Sequence, residues 1–254
     1  MAAYFEVLAA AGFALEVSLL CRLLQQRMVT RYRFLFTYLL FTVLAMDLTL
    51  YPVRRLLPGI YPFLYWELEM VCLLFRFFVV WEIYRHTFPR GSLLRHIPSQ
   101  GWGALCFWIV LFSLSALCWS RAYASFHSVL LALECSIGFL QAVLVLAEML
   151  VAKLYGFPMG RNIWGMAVGF GAYVSMNILN LALLDLAPWT LRYFSGIVPA
   201  SFAVMLAIWT WALWTYAPNP SPAPAPAEGS AAEMAQWTEQ WSRAHSAVRK
   251  TVNP

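Results

Sequence analysis

The sequence predicts an all-α membrane protein, a polytopic seven-transmembrane helix bundle followed by a short amphipathic C-terminal helix. Three observations carry that expectation. Of the 254 residues, 62% are hydrophobic and only 11% are charged, whereas an ordinary soluble domain carries about 25% charged residues. Segments of the length a bilayer demands, about 20 mainly apolar residues, recur along most of the chain. The connections between them are short and hold Pro, Gly, Arg or Ser, which leaves no room for a folded domain between two spans.

The first span, Tyr4–Leu24, lacks a basic leader region and carries Glu6, so it reads as a retained helix and not as a secretory signal. The second is Phe34–Tyr51, with Asp47 near its end. The third, Tyr61–Tyr84, is the least apolar and carries Glu67, Glu69 and Arg76. Omitting it would place Arg85, Arg90 and Arg95 on the same side as Arg54 and Arg55, against the rule that basic loops stay inside. Trp102–Ala122 is the fourth. In the fifth, Phe126–Leu150, Glu134, Gln141 and Glu148 recur at intervals of seven, which sets them on one helix face. The sixth, Ile163–Ala187, opens on Gly165-x-x-x-Gly169, a spacing that lets two helix backbones approach closely. The seventh, Leu191–Tyr216, contains Pro199, which is expected to kink it.

These spans make a bundle over 1–217. Residues 218–229 form a Pro/Ala-rich linker, and 230–250 form a cytoplasmic helix opened by the capping box of Ser230 and Glu233. Met234, Trp237 and Trp241 recur there at helical spacing with Arg243, Arg249 and Lys250 beside them. Such a stripe suits the membrane surface or a protein partner equally. Orientation follows from the basic residues: an outside N-terminus puts twelve of the 17 Lys and Arg on the cytoplasmic side and four outside. The seventeenth is Arg76, inside a span. The expected location is a cell inner membrane, crossed several times, with the lipid bilayer as the main partner. The net charge of +5 is spread over loops and tail, so it reads as a topology signal and not as a nucleic-acid surface.

Ionisable groups inside a span each cost about 2.5–3.5 kcal/mol at the bilayer centre, so those present call for partners or a purpose. Counted from the outer ends at about 1.5 Å per residue, Asp47, Glu67, Glu69 and Glu134 lie within roughly 6–13 Å of the outer surface. Asn177 and Asn180 fall in the same layer. These six are the candidates for a ligand or ion site. The layer lacks a basic residue at equal depth, so three readings stand. The acids hold protons; or Arg54, Arg55 and Arg121 reach down to them; or they bind a cation or an amine. Tyr65, Trp66, Tyr173 and Ser175 offer a purely structural alternative by capping the carboxyl groups. Glu16 and Arg76 come out at similar depth in the inner half and are expected to form an intramembrane ion pair. Glu82 and Glu148 read as ordinary interface residues.

No catalytic residues, cofactor or metal are expected. The four histidines (His86, His96, His127 and His245) lie in loops or at span ends, which leaves no mid-membrane pair for haem and no zinc triad. The five cysteines form no CxxC pair, and the last span has no lysine to anchor a retinal. HExxH, GxSxG, GxGD, Walker A and Rossmann loops are all missing from the sequence.

Tyr65-Trp66-x-x-Glu69, the run Trp81-Glu82-Ile83-Tyr84-Arg85-His86-x-Phe88 and Gly169-Phe170-Gly171-x-Tyr173 resemble a group of uncharacterised bacterial seven-helix integral membrane proteins. That resemblance implies the architecture and no particular activity. The layout is also similar to the seven-helix sensory input domains of bacterial histidine kinases, from which this chain departs by ending in a short helix. Two functions follow as expectations. One is a receptor-like or accessory subunit of a membrane complex, acting through its tail. The other is a small proton or cation transporter or channel that uses the intramembrane carboxylates. The absence of an internal repeat favours the first.

Overall fold

A computed structural model describes residues 2–88, 126–186, 196–220 and 239. The chain divides into two compact units, Met1–Asn219 and Pro220–Pro254. In the second, only Pro220 and Glu239 are among the described residues, so Met234, Trp237, Trp241 and the rest of the expected surface stripe lie outside them. The fourth expected span, Trp102–Ala122, lies outside them as well.

All regular structure among the described residues is helical. The described residues of the first unit form six long helices. Helix α1 is Ala2–Gln25, and α2 is Arg33–Leu56. Then follow α3, Tyr61–Thr87; α4, Phe126–Leu154; α5, Arg161–Leu186; and α6, Ile197–Leu213. Among the described residues three helices are long and apolar enough to cross a membrane, at Glu6–Gln25, Arg33–Leu56 and Glu134–Leu154. The apolar α6 is shorter, at 17 residues. Helix α3 falls below that standard because of its acids and arginines, several of which the fold buries against partners, as described below. Helix α6 begins at Ile197, so Pro199 stands in its first turn, where proline costs no hydrogen bond. The expected kink is therefore not needed.

Each helix packs on the next one described, and α6 closes the ring by packing on α1. Helices α3 and α5 also meet across it. The seam between α5 and α6 is the most extensive, and its cause is legible in side-chain size. A Cβ on Gly165 would run into Cβ of Ala212, and one on Gly169 would stand 2.8 Å from Nε1 of Trp209 and 3.3 Å from the Met205 carbonyl. The glycine pair thus serves an internal contact. Trp209 fills the space, fully buried. It lies parallel to Phe170 with ring centres 6.5 Å apart, meets Tyr38 edge-on at 6.2 Å and donates from Nε1 to the Met166 carbonyl at 3.1 Å. At the end of the seam, Asn162 donates to the carbonyls of Ala212 and Thr215 and accepts from Ala217 N–H at 2.7 Å.

The start of α2 is held by an acid from another helix. Both carboxyl oxygens of the buried Glu82 accept backbone N–H groups, from Phe34 at 3.2 Å and Leu35 at 2.9 Å. Helix starts leave such donors without intrahelical partners. Glu82 is therefore a structural cap on α2. Glu82→Ala is expected to destabilise the protein by about 1–3 kcal/mol, with Glu82→Gln less harmful. Thermal unfolding of the two variants measures this, and equal stability of Glu82→Ala and wild type would dismiss the cap.

Within α2 the winding widens from α-helical Arg33–Phe41 to π-helical Thr42–Thr49, then returns to α over Leu50–Leu56. The hydroxyl of Thr49 donates five residues back, to the Leu44 carbonyl at 2.7 Å. π-helical turns are rare and concentrate at functional sites. This one carries Asp47.

Candidate functional site

Two neighbouring groups of polar residues lie among the helices. The first opens to the surface between the start of α1, the end of α2 and the start of α3. A cavity of about 670 Å³ is lined there by Glu6, Phe13, Asp47, Arg54, Arg55, Tyr61 and Tyr65 with several aliphatic side chains. Behind Asp47 stands the buried Glu16, which faces both Asp47 and Thr42. Its Oε2 has no hydrogen-bond partner among the described residues. Arg54 and Arg55 do not reach the acids. They lie over tyrosine rings at the mouth, Arg54 on Tyr61 at 5.9 Å and Arg55 on Tyr51 at 4.5 Å, in cation–π geometry.

The second group lies between α3, α4 and α5. Arg76 Nη2 donates to Glu69 Oε1 at 2.9 Å and to the Tyr173 hydroxyl at 3.0 Å, and its guanidinium lies 5.2 Å from the centre of that ring. All three side chains are buried. Glu134 stands near Glu69 and accepts from Asn177 Nδ2 at 3.1 Å. Tyr65 joins the groups, since it lines this acidic cavity and lies near both Glu69 and Glu134. Cys72 sits between them, near Glu16 and Asp47 as well as Glu69 and Arg76.

The expected pairing of Glu16 with Arg76 is corrected. Arg76 pairs with Glu69 at 2.9 Å. Seven residues span about two helical turns, so both side chains leave α3 on one face, and their length closes the axial gap. Depth counted at Cα placed Glu69 and Arg76 in separate layers; their side chains bridge those layers. Glu67 is exposed and joins neither group, because two residues along a helix turn it through roughly 200° from Glu69. Asn180 is buried, with Oδ1 unpartnered among the described residues.

The period-seven stripe of α4 does turn inward. Gln141 is fully buried and donates to the Leu73 carbonyl at 3.0 Å. Glu148 is buried too, and neither of its oxygens finds a hydrogen bond among the described residues. Its place in the period-seven stripe is the signal in the sequence for that burial. Tyr173, expected to cap a carboxyl group, instead accepts from the Arg76 guanidinium. No three His, Cys, Asp or Glu side chains converge on a metal-holding group among the described residues.

At the opposite end of the bundle, the aromatic Tyr32 packs on His86 with ring centres 5.2 Å apart. Burial pushes its phenol up to about 12, so it stays neutral throughout the physiological range. No family model, curated protein or solved structure matches the chain.

Proposed function

We propose that this chain is a receptor-like membrane protein whose outer cavity binds a small ligand bearing an amine, with Asp47 as the counter-ion and Glu16 behind it. In this reading the chain crosses a cell inner membrane seven times, with its N-terminus outside and its tail in the cytoplasm, where a protein partner or the membrane surface takes the C-terminal helix. The observation that carries the reading is the acidic end of the cavity. Asp47 lines it from a π-helical turn, an unpartnered carboxyl oxygen of Glu16 lies behind, and the nearby arginines are engaged with tyrosines. Tyr61, Tyr65 and Phe13 supply the aromatic faces that ammonium groups prefer. Transport of protons or cations through the acids is the less favoured reading. The path inward from Glu69 runs onto the guanidinium of Arg76, a fixed positive charge that repels a passing cation.

The test uses 2-phenylethylamine and its neutral counterpart 2-phenylethanol on the detergent-purified protein. At a concentration several times its Kd, the amine should raise the unfolding temperature by about 3 °C. The alcohol should not, and Asp47→Asn should lose the response. Equal stabilisation by amine and alcohol, or an undiminished response in Asp47→Asn, would refute the binding reading. Proton flux into proteoliposomes that exceeds empty vesicles and vanishes in Asp47→Asn would replace it with transport.

A further inference from the structure

The end of the bundle remote from the acidic cavity holds a second cavity of opposite character, of about 440 Å³, between the start of α2 and the end of α3. Arg31, Arg33, Arg85 and His86 line it, with Glu82 and Phe34. We propose that it binds the phosphate of an anionic phospholipid headgroup.

Charge is the first argument. Three arginines and one carboxylate line the cavity, and both oxygens of that carboxyl are already taken by the N–H groups of Phe34 and Leu35. None of the three arginines has an ion-pair partner among the described residues. Arg31 lies over the Tyr216 ring at 4.4 Å, and Arg33 uses Nε on the Thr30 carbonyl at 3.1 Å, so most of their N–H donors remain for a ligand. Arg85 is exposed at the rim. A guanidinium group offers its donors in a planar fork that matches two phosphate oxygens.

Placement is the second argument, and it selects a lipid over a free anion. Phe34 of the lining stacks on Phe78 at 5.2 Å, within 17° of parallel, and Phe78 is 37% exposed. Phe78 precedes Arg85 by seven residues, so it lies on the same face of α3 about two turns toward the bundle's middle. A headgroup seated among the arginines would thus have an apolar aromatic surface beneath it for its acyl chains. Basic pockets at the ends of membrane helices hold phospholipid headgroups by this combination. Hydrogen bonds tie the wall together: Nε2 of His86 donates to the Arg31 carbonyl at 3.0 Å, and Asn219 donates to the His86 carbonyl at 2.6 Å.

The experiment is lipid binding to delipidated, detergent-purified protein, followed by native mass spectrometry, with phosphatidylglycerol, phosphatidylcholine and inorganic phosphate as probes. Phosphatidylglycerol should bind and phosphatidylcholine should not. Its affinity should fall about tenfold or more in Arg33→Gln/Arg85→Gln, measurably in Arg85→Gln alone, and not at all in Lys153→Gln. The single Arg85 variant removes an exposed side chain that makes no hydrogen bond among the described residues, so it reports on the site even where the double variant fails to fold. Unchanged affinity in the folded arginine variants overturns the proposal, as does an equal loss in Lys153→Gln, which means diffuse surface attraction. Displacement of the lipid by inorganic phosphate at equal concentration reassigns the cavity to a free anion.

Discussion

Arg76→Met is expected to destabilise the bundle by about 3–5 kcal/mol. The substitution keeps a long flexible side chain, so packing is largely preserved and the loss isolates the charge. It leaves Glu69 buried without a cation and takes the donor from the Tyr173 hydroxyl. The paired variant Glu69→Gln/Arg76→Met should recover much of the loss, because replacing both partners of a buried pair is often near neutral. Unfolding in a titration of denaturing detergent measures both. A double variant no more stable than Arg76→Met would mean that Arg76 acts through Tyr173 and not through Glu69. That outcome would also weaken the argument that a fixed positive charge blocks cation passage.

Trp209→Ala should cost about 3–5 kcal/mol. Trp209 is fully buried among Phe170, Tyr38 and Gly169 at the seam of α5 and α6, and its removal opens a large void. The converse change, Gly169→Ala, forces a methyl group to within 2.8 Å of the same ring, an overpacking expected to cost about 1–3 kcal/mol. The two effects share one volume. Gly169→Ala should therefore cost much less in a Trp209→Ala background, with a coupling energy of about 1 kcal/mol or more. Strict additivity in the same unfolding titration would show that Gly169 is needed for its backbone and not for the room it leaves.

The helical class and most element positions are legible in the sequence because both depend on local pattern. Apolar run length set the expected spans, and each described helix overlaps one of them. The glycine pair at 165 and 169 announced a close approach, since no other residue leaves that space. The stripe of Glu134, Gln141 and Glu148 announced an inward face, which Gln141 and Glu148 occupy. One expectation failed where a Cα count stood in for side-chain reach: depth matches Arg76 to Glu16, yet its guanidinium lies on Glu69, two turns away on its own helix. The capping role of Glu82 was not legible either, because its carboxyl group meets the start of a helix 47 residues earlier in the chain.

By itself, then, the amino-acid sequence determined that the chain is helical and built of long apolar segments, and which of its faces are polar. Those properties follow from hydrophobicity and from a helical period that each segment carries on its own. Only the tertiary structure decided which acid meets which base, which carboxyl oxygens stay unpartnered among the described residues, and that an acidic cavity and a basic one lie at opposite ends of the bundle. Such choices rest on helix neighbours, on side-chain direction and on the π-helical turn that carries Asp47, none of which a single segment encodes. A hydrogen bond spans about 3 Å, whereas sequence depth is counted in turns of about 5.4 Å, so pairing lies below the resolution of the pattern.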